Sequence, residues 1–241
     1  MNFNKSAKHR RIAFYGGSFD PLHNGHLAIA RKVTELFALD RFAFIPAFHA
    51  PHKKDRQPTS AFHRYAMLCL ATANEAKIEI STIELDAPEK PFTFETQAKL
   101  INNLPDAEIY FVIGADSWTE ITTWREWETV LTQTNIIVVT RPDYEIEFSP
   151  VTEAIRARIV DLRGQVPSSR FQVQDFRLQI SDEIPEPRTP NPEPCIYLTD
   201  AVNLDVSATE IRRKIRDNQT DWRELVPDEV AKYVEKYELY I

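Results

Sequence analysis

Short apolar runs alternate with longer amphipathic stretches through residues 11–142. Four runs are almost wholly apolar, as strands covered on both faces of a parallel sheet are; they are residues 12–15, 41–46, 107–114 and 135–140. The segments between them space apolar residues three or four positions apart, which predicts helices. One helix is predicted to begin at about His23, and another to span residues 61–74. Strands that alternate with helices predict an α/β fold, a doubly wound parallel sheet with helices on both faces.

The pattern is less regular in the rest of the chain. Residues 77–81 and 83–85 are predicted as short strands, residues 152–162 show helical periodicity, and residues 171–180 alternate like a strand. A proline-rich stretch ends at Pro194, and residues 195–198 read as a last strand. Ser207 and Glu210 have the spacing of a capping box at a helix start. A closing amphipathic helix is predicted for residues 227–240, so the chain ends in a small helical part.

These patterns predict one domain with an interruption. The predicted divisions are a flexible basic tail at 1–10, the α/β core at 11–142, an insertion with a proline-rich loop at 143–194, and a C-terminal strand and helices at 195–241 that complete the same domain. The insertion is open to three interpretations: a lid, an oligomer contact or a neutral surface addition.

Charge and cysteine content narrow the function classes. The formal charge of −7 argues against a nucleic-acid binder, so an anionic substrate would need a local basic cluster. The two cysteines, Cys69 and Cys195, show neither a disulfide framework nor metal-ligand spacing, which favours a reduced cytoplasmic protein. No segment has the roughly 20 apolar residues that span a membrane, and the polar start is not a secretory signal.

The richest chemistry lies in residues 11–26, RIAFYGGSFDPLHNGH. A buried strand ends at Gly16 and Gly17, Pro21 precedes a helix, and His23 and His26 share one face of its first turn. Unpaired backbone N–H groups and the positive end of the helix dipole make that turn a phosphate site. The plainer alternative is a strand–turn–helix unit with two surface histidines.

Two further positions follow the ends of predicted strands, where open α/β sheets bind ligands. Lys53 lies in a basic loop after residues 41–46, and this cluster is either a phosphate site or a solvated surface. Asp116 follows residues 107–114, and it either accepts a hydrogen bond from a ribose hydroxyl or caps the next helix.

The stretch GGSFDPLHNGH resembles the G-x-F-D-P-x-H-x-G-H signature of the HxGH nucleotidyltransferase superfamily. Within that superfamily the chain most resembles the bacterial nicotinate mononucleotide adenylyltransferases. Four other segments carry the resemblance: APHK at 50–53 is similar to P-P-H-K, FTFET at 92–96 to Y-T-x-x-T, IGADS at 113–117 to I-G-x-D-S, and VSATEIR at 206–212 to I-S-x-T-x-I-R. Phe92 replaces the family's frequent tyrosine. The resemblance covers residues 11–142 and 195 to about 240.

The resemblance implies a Rossmann-like fold and a reaction that joins ATP to nicotinate mononucleotide. The products would be deamido-NAD and pyrophosphate, formed without a covalent intermediate. Mg²⁺ is expected on the substrate phosphates, with no metal site built from protein ligands. The implied residues are His23, His26, Lys53 and Arg212 for catalysis, Gly16, Gly17, Ser18, Phe19, Gly114, Asp116 and Ser207 for the nucleotide, and Thr93 and Trp124 for nicotinate mononucleotide.

Several alternatives remain open on the sequence. Pantetheine-phosphate adenylyltransferases and cytidylyltransferases share the first motif, and nicotinamide mononucleotide could be the preferred substrate. A regulatory protein that binds nucleotide without catalysis is a third interpretation. Two histidines three apart are a weak indication of zinc without a third ligand. A homo-oligomer is left open.

Overall fold

The computed structural model describes residues 10–48, 59–140, 146–164, 193–202 and 206–241. Within them, seven strands form one parallel sheet in the order β3-β2-β1-β4-β5-β7-β6. The strands are β1 (Arg10–Gly17), β2 (Arg41–Pro46), β3 (Ile78–Ile80), β4 (Ala107–Gly114), β5 (Asn135–Val139), β6 (Ile159–Asp161) and β7 (Ile196–Thr199). The prediction of a doubly wound parallel sheet is therefore confirmed.

Helices connect the strands and close the chain. They are α1 (Asn24–Leu36), α2 (Ala61–Thr72), α3 (Thr93–Asn103), α4 (Ala115–Thr119), α5 (Trp127–Gln133), α6 (Glu153–Arg156), α7 (Ala208–Arg216) and α8 (Asp228–Lys236), with 3₁₀ turns at Ile121–Thr123 and Asp221–Leu225. The last two helices and the turn between them are the predicted C-terminal helical part.

Hydrophobic cores cover both faces of the sheet. Ala13 belongs to the core on the face of α1, α2 and α8, whereas its neighbour Phe14 belongs to the core on the face of α3 and α5. Successive side chains of a strand point to opposite faces. A strand buried on both faces has no polar side to alternate with, which explains the continuous apolar runs.

Two predicted elements are wrong, and a third lies outside the described residues. Residues 83–85 form a turn rather than a strand. Helical periodicity at 152–162 yields only the single turn α6, because the chain then pairs with β7 as the edge strand β6. Ile159 and Leu162 enter the cores of opposite faces, so strand pairing overrides the helical spacing. The strand predicted at 171–180 falls in the part that the structure does not describe.

The strand order places a crevice at the carboxyl ends of β1 and β4. The connection from β1 leads to β2 on one side, while β4 lies on the other side of β1. Such a switch point is where open α/β sheets bind ligands. No helix among the described residues has the length and apolar character needed to cross a membrane.

Candidate active site

A cavity of about 720 Å³ opens at this switch point. Its walls come from the end of β1, the first turn of α1, the starts of α3, α4 and α7, and the segment 123–125. The volume is in the range of small-molecule sites. We refer to it as the site cavity.

His23 and His26 lie together on the wall formed by α1. Their rings stack with centroids 3.6 Å apart, and His23 is the N-cap residue of the helix. The backbone N–H of His23 donates to Nδ1 of His26 over 3.2 Å. A neutral His26 ring that accepts a hydrogen bond at Nδ1 carries its proton on Nε2. The arrangement therefore makes Nε2 of His26 a hydrogen-bond donor.

Two glycines make room for the rings around this pair. A Cβ on Gly25, between the histidines, would lie 3.1 Å from Nδ1 of His23. A Cβ on Gly17 would lie 2.9 Å from the ring of Phe19, which is 2% exposed. The Phe19 ring in turn packs edge-on against His26 with centroids 5.0 Å apart. Close packing against these rings therefore favours glycine at positions 17 and 25, since glycine has no Cβ.

A buried arginine ties the loop after β1 to the loop after β2. Arg64, 1% exposed, donates from Nη1 to the carbonyl of Ser18 over 2.7 Å and from Nη2 to that of Ala47 over 2.6 Å. Its Nε donates to the carbonyl of Thr59 over 3.0 Å. Burial lowers the pKa of the Arg64 guanidinium from its ordinary value. Through these hydrogen bonds the Arg64 side chain links the backbone at Ser18, Ala47 and Thr59.

The C-terminal part of the chain holds the same loop at Asp20. Arg212 of α7 donates to the backbone carbonyl of Asp20 over 2.5 Å and to the hydroxyl of Thr209 over 3.1 Å. The hydroxyl of Tyr240 donates to Oδ1 of Asp20 over 2.7 Å, and Asp20 is 7% exposed. Burial and the Asp20 carboxylate raise the pKa of Tyr240. Residues far apart in sequence therefore hold the start of the histidine turn, by which we mean residues 23–26 at the beginning of α1.

Phe92, Thr93 and Trp124 form another part of the cavity wall, which we refer to as the aromatic end of the site cavity. Thr93 is the first residue of α3 and Phe92 is its N-cap, while Trp124 is the C-cap residue of the 3₁₀ turn Ile121–Thr123 and lines the cavity. Below them Thr96 donates to Oε1 of Glu84 over 3.0 Å, and burial raises the pKa of Glu84. Nε1 of Trp124 is buried and has no acceptor among the described residues.

The third wall is formed by the helix starts of α4 and α7. Gly114 is the N-cap residue of α4, and Asp116 lies in its first turn, so Asp116 does not cap that helix. Ser207 caps α7 by accepting from the N–H of Glu210 over 3.2 Å, as its spacing predicts. Both segments line the cavity.

The structure brings most of the predicted site residues to this one cavity. Its walls include Gly16, Gly17, Ser18, Phe19, His23, His26, Thr93, Gly114, Asp116, Trp124 and Ser207. Arg212 is not among the lining residues, since it turns to the Asp20 carbonyl. Lys53 lies outside the described residues. No group of three or more histidine, cysteine, aspartate or glutamate side chains that could hold a metal occurs in the described part of the chain.

Sequence reasoning missed four residues that shape the site. Gly25 could have been found as the small residue between two histidines on a helix turn. Lys90, Arg125 and Tyr240 left no local signal, because only the folded chain brings them to the cavity or its supporting loop.

An all-parallel sheet with stacked histidines at a helix start over its switch-point cavity defines a class of α/β nucleotide-binding proteins.

The model of the cytidylyltransferase-like family matches residues 14–214 of the chain. A probable nicotinate-nucleotide adenylyltransferase of Symbiobacterium thermophilum is 34% identical over 96% of this chain and 95% of the relative. One from Desulfitobacterium hafniense is 33% identical over 100% of this chain and 99% of the relative.

The chain belongs to the cytidylyltransferase-like family and, within it, groups with these nicotinate-nucleotide adenylyltransferases. The fold is also that of a solved structure, Plasmodium falciparum nicotinic acid mononucleotide adenylyltransferase complexed with NaAD. The two share a TM-score of 0.68 at 20% identity, over 96% of this chain and 98% of that chain.

Proposed function

We propose that this chain transfers the adenylyl group of ATP to nicotinate mononucleotide, a step in NAD biosynthesis that yields deamido-NAD and pyrophosphate. The observation that carries the proposal is the stacked pair His23 and His26, which faces the same cavity as Thr93 and Trp124. The relatives' names and their coverage of the whole chain support it. The predicted cytoplasmic location is part of the proposal.

In the proposed reaction a phosphate oxygen of nicotinate mononucleotide attacks the α-phosphorus of ATP. The new P–O bond forms as the bond to the bridging oxygen breaks, and that oxygen leaves with pyrophosphate. The attacking phosphate is an anion at neutral pH, since its second pKa is about 6. The reaction needs no general base, so the protein contributes positioning and charge stabilisation.

His26 has the central role in this mechanism. Its Nε2–H donates to an oxygen of the α-phosphate as negative charge builds up there. The bond from the His23 N–H to Nδ1 keeps the ring in that tautomer throughout. The unpaired backbone N–H groups in the first turn of α1 are further hydrogen-bond donors, and they lie at the positive end of the helix dipole.

The other site residues bind the two substrates. Asp116 would accept from a ribose hydroxyl, Ser207 and the start of α7 would hold phosphates, and Trp124 would stack on the pyridine ring. Lys53 and Arg212 are proposed as triphosphate cations, and Arg212 must leave the Asp20 carbonyl to reach a phosphate. Mg²⁺, bound chiefly by phosphate and water, would neutralise the triphosphate.

Pyrophosphate release from ATP and Mg²⁺ tests the proposal. Nicotinate mononucleotide, nicotinamide mononucleotide and phosphopantetheine are offered separately to the full chain. We expect release with nicotinate mononucleotide and none with phosphopantetheine. Release with phosphopantetheine alone, or with none of the three, would overturn the proposal.

A further inference from the structure

Two cations line the aromatic end of the site cavity without any role in the proposal so far. Among the described residues, Lys90 and Arg125 are the lysine and arginine of the cavity wall. Both neighbour the residues proposed to bind nicotinate mononucleotide, Thr93 and Trp124. Two cations close to the proposed position of the pyridine ring indicate that the ligand carries a negative charge there.

Arg125 is held in place by an aromatic face. Its Cζ lies 4.7 Å from the ring centroid of Phe92, which stacks in turn on Phe94 with centroids 6.3 Å apart. A guanidinium that stacks on a ring keeps the N–H groups of its edge available for in-plane acceptors. Within the described ranges Arg125 makes no ion pair, so its charge is available to a ligand.

Lys90 differs from Arg125 because it has an acidic neighbour. Glu84 lies under the start of α3 and interacts electrostatically with Lys90. Lys90 therefore has an acidic neighbour at this end of the cavity. Arg125 is left as the cation whose charge is not balanced there.

We propose, as a refinement that rests on the proposed function, that Arg125 binds the pyridine carboxylate and makes the enzyme prefer the acid to the amide. A carboxylate matches the planar fork of a guanidinium with two parallel hydrogen bonds. The amide of nicotinamide mononucleotide has no charge, and its NH₂ group is a hydrogen-bond donor that would face the donor N–H groups of the guanidinium. The preference thus combines an attraction to one substrate with a mismatch to the other.

The test is the ratio of kcat/KM for nicotinate mononucleotide to kcat/KM for nicotinamide mononucleotide. The Arg125→Met variant keeps a long side chain over Phe92 and removes the charge. We expect kcat/KM for the acid to fall about tenfold or more, because even one lost charge-assisted hydrogen bond has an effect on that scale, while the value for the amide stays within about twofold. Arg125→Lys should recover part of the preference because the charge returns without the fork.

A matched control removes a positive charge elsewhere. Arg216 is an exposed arginine at the end of α7 and is not part of the cavity wall. Arg216→Met should leave both kcat/KM values and their ratio unchanged. This separates local recognition from a general loss of attraction for anions.

The outcomes distinguish this inference from the proposed function. An equal fall with both substrates would overturn it, because the acid and the amide share the phosphate and ribose. An unchanged ratio, or a wild-type enzyme that does not prefer the acid, would also overturn it while adenylyl transfer stands. A wild-type enzyme that uses neither substrate would overturn the proposed function itself.

Discussion

His23 and His26 owe their contact to one hydrogen bond and one glycine. The N–H of His23 reaches Nδ1 of His26, and Gly25 leaves room for the His23 ring beside the helix. A side chain at Gly25 would press on that ring and shift the pair. The chemistry of the site therefore depends on packing within a few residues, which is why a short motif identifies it so well.

Gly17 offers a direct check on this packing. Gly17→Ala puts a methyl group 2.9 Å from the Phe19 ring, so we expect the free energy of unfolding to fall by about 1–3 kcal/mol. Urea unfolding measures the loss. Gly114→Ala is the matched control, since nothing lies within 4 Å of its Cβ, and its stability should be near that of the wild type. Equal stability of both variants would show that Phe19 moves aside freely.

Glu84 makes stability depend on pH. Burial raises its pKa in the folded state above the unfolded value of about 4.3. Its contribution to stability is then fully present below about pH 4 and is lost as the pH rises through the folded pKa. Glu84→Gln can still accept from Thr96, so we expect it to exceed the wild type in urea midpoint at pH 7 and to match it below about pH 4.

The control for this charge change is Glu89→Gln, which alters an exposed glutamate in the bend after the turn that contains Glu84. It should show no difference from the wild type that changes with pH. A Glu84→Gln variant less stable than the wild type at pH 7 would mean that the fold stabilises the carboxylate.

Residues 18–20 belong to the loop between β1 and α1, and three other elements hold them in place. Arg64 of α2, Arg212 of α7 and Tyr240 after α8 each bond to this loop. Only the last of these contacts involves the Asp20 side chain. The turn that carries the histidines is thus positioned by parts of the chain more than 40 and up to 220 residues away.

Tyr240→Phe tests this support. The variant leaves Oδ1 of buried Asp20 without its phenolic donor, which costs about 1–3 kcal/mol of unfolding free energy. If the loop also positions the histidines, kcat should fall while KM for ATP changes little. Tyr237→Phe serves as the control, because Tyr237 is 47% exposed and contacts other rings. A Tyr240→Phe variant with wild-type stability and kcat would remove Tyr240 from this role.

The sheet was predictable because strands buried on both faces leave long apolar runs between helices, as at β2 and β4. The edge strand β6 was not, since its three residues carry a helical spacing and become a strand only beside β7. The histidine turn, Asp116 and Trp124 could be picked from local motifs. Arg125 and Tyr240 could not, because their neighbours in space are remote in sequence. The predicted domain divisions and the residue roles stay predictions.

The most direct test of the account is transfer of label from ATP carrying a radioactive α-phosphate, followed in a single turnover with nicotinate mononucleotide. The account predicts label in deamido-NAD and none on the protein. It also predicts that His26→Ala slows transfer by about 10²–10³-fold with an unchanged urea midpoint. Label on the protein would contradict direct transfer of the adenylyl group to nicotinate mononucleotide. A near-normal rate in His26→Ala would contradict the role of His26 in stabilising the transition state.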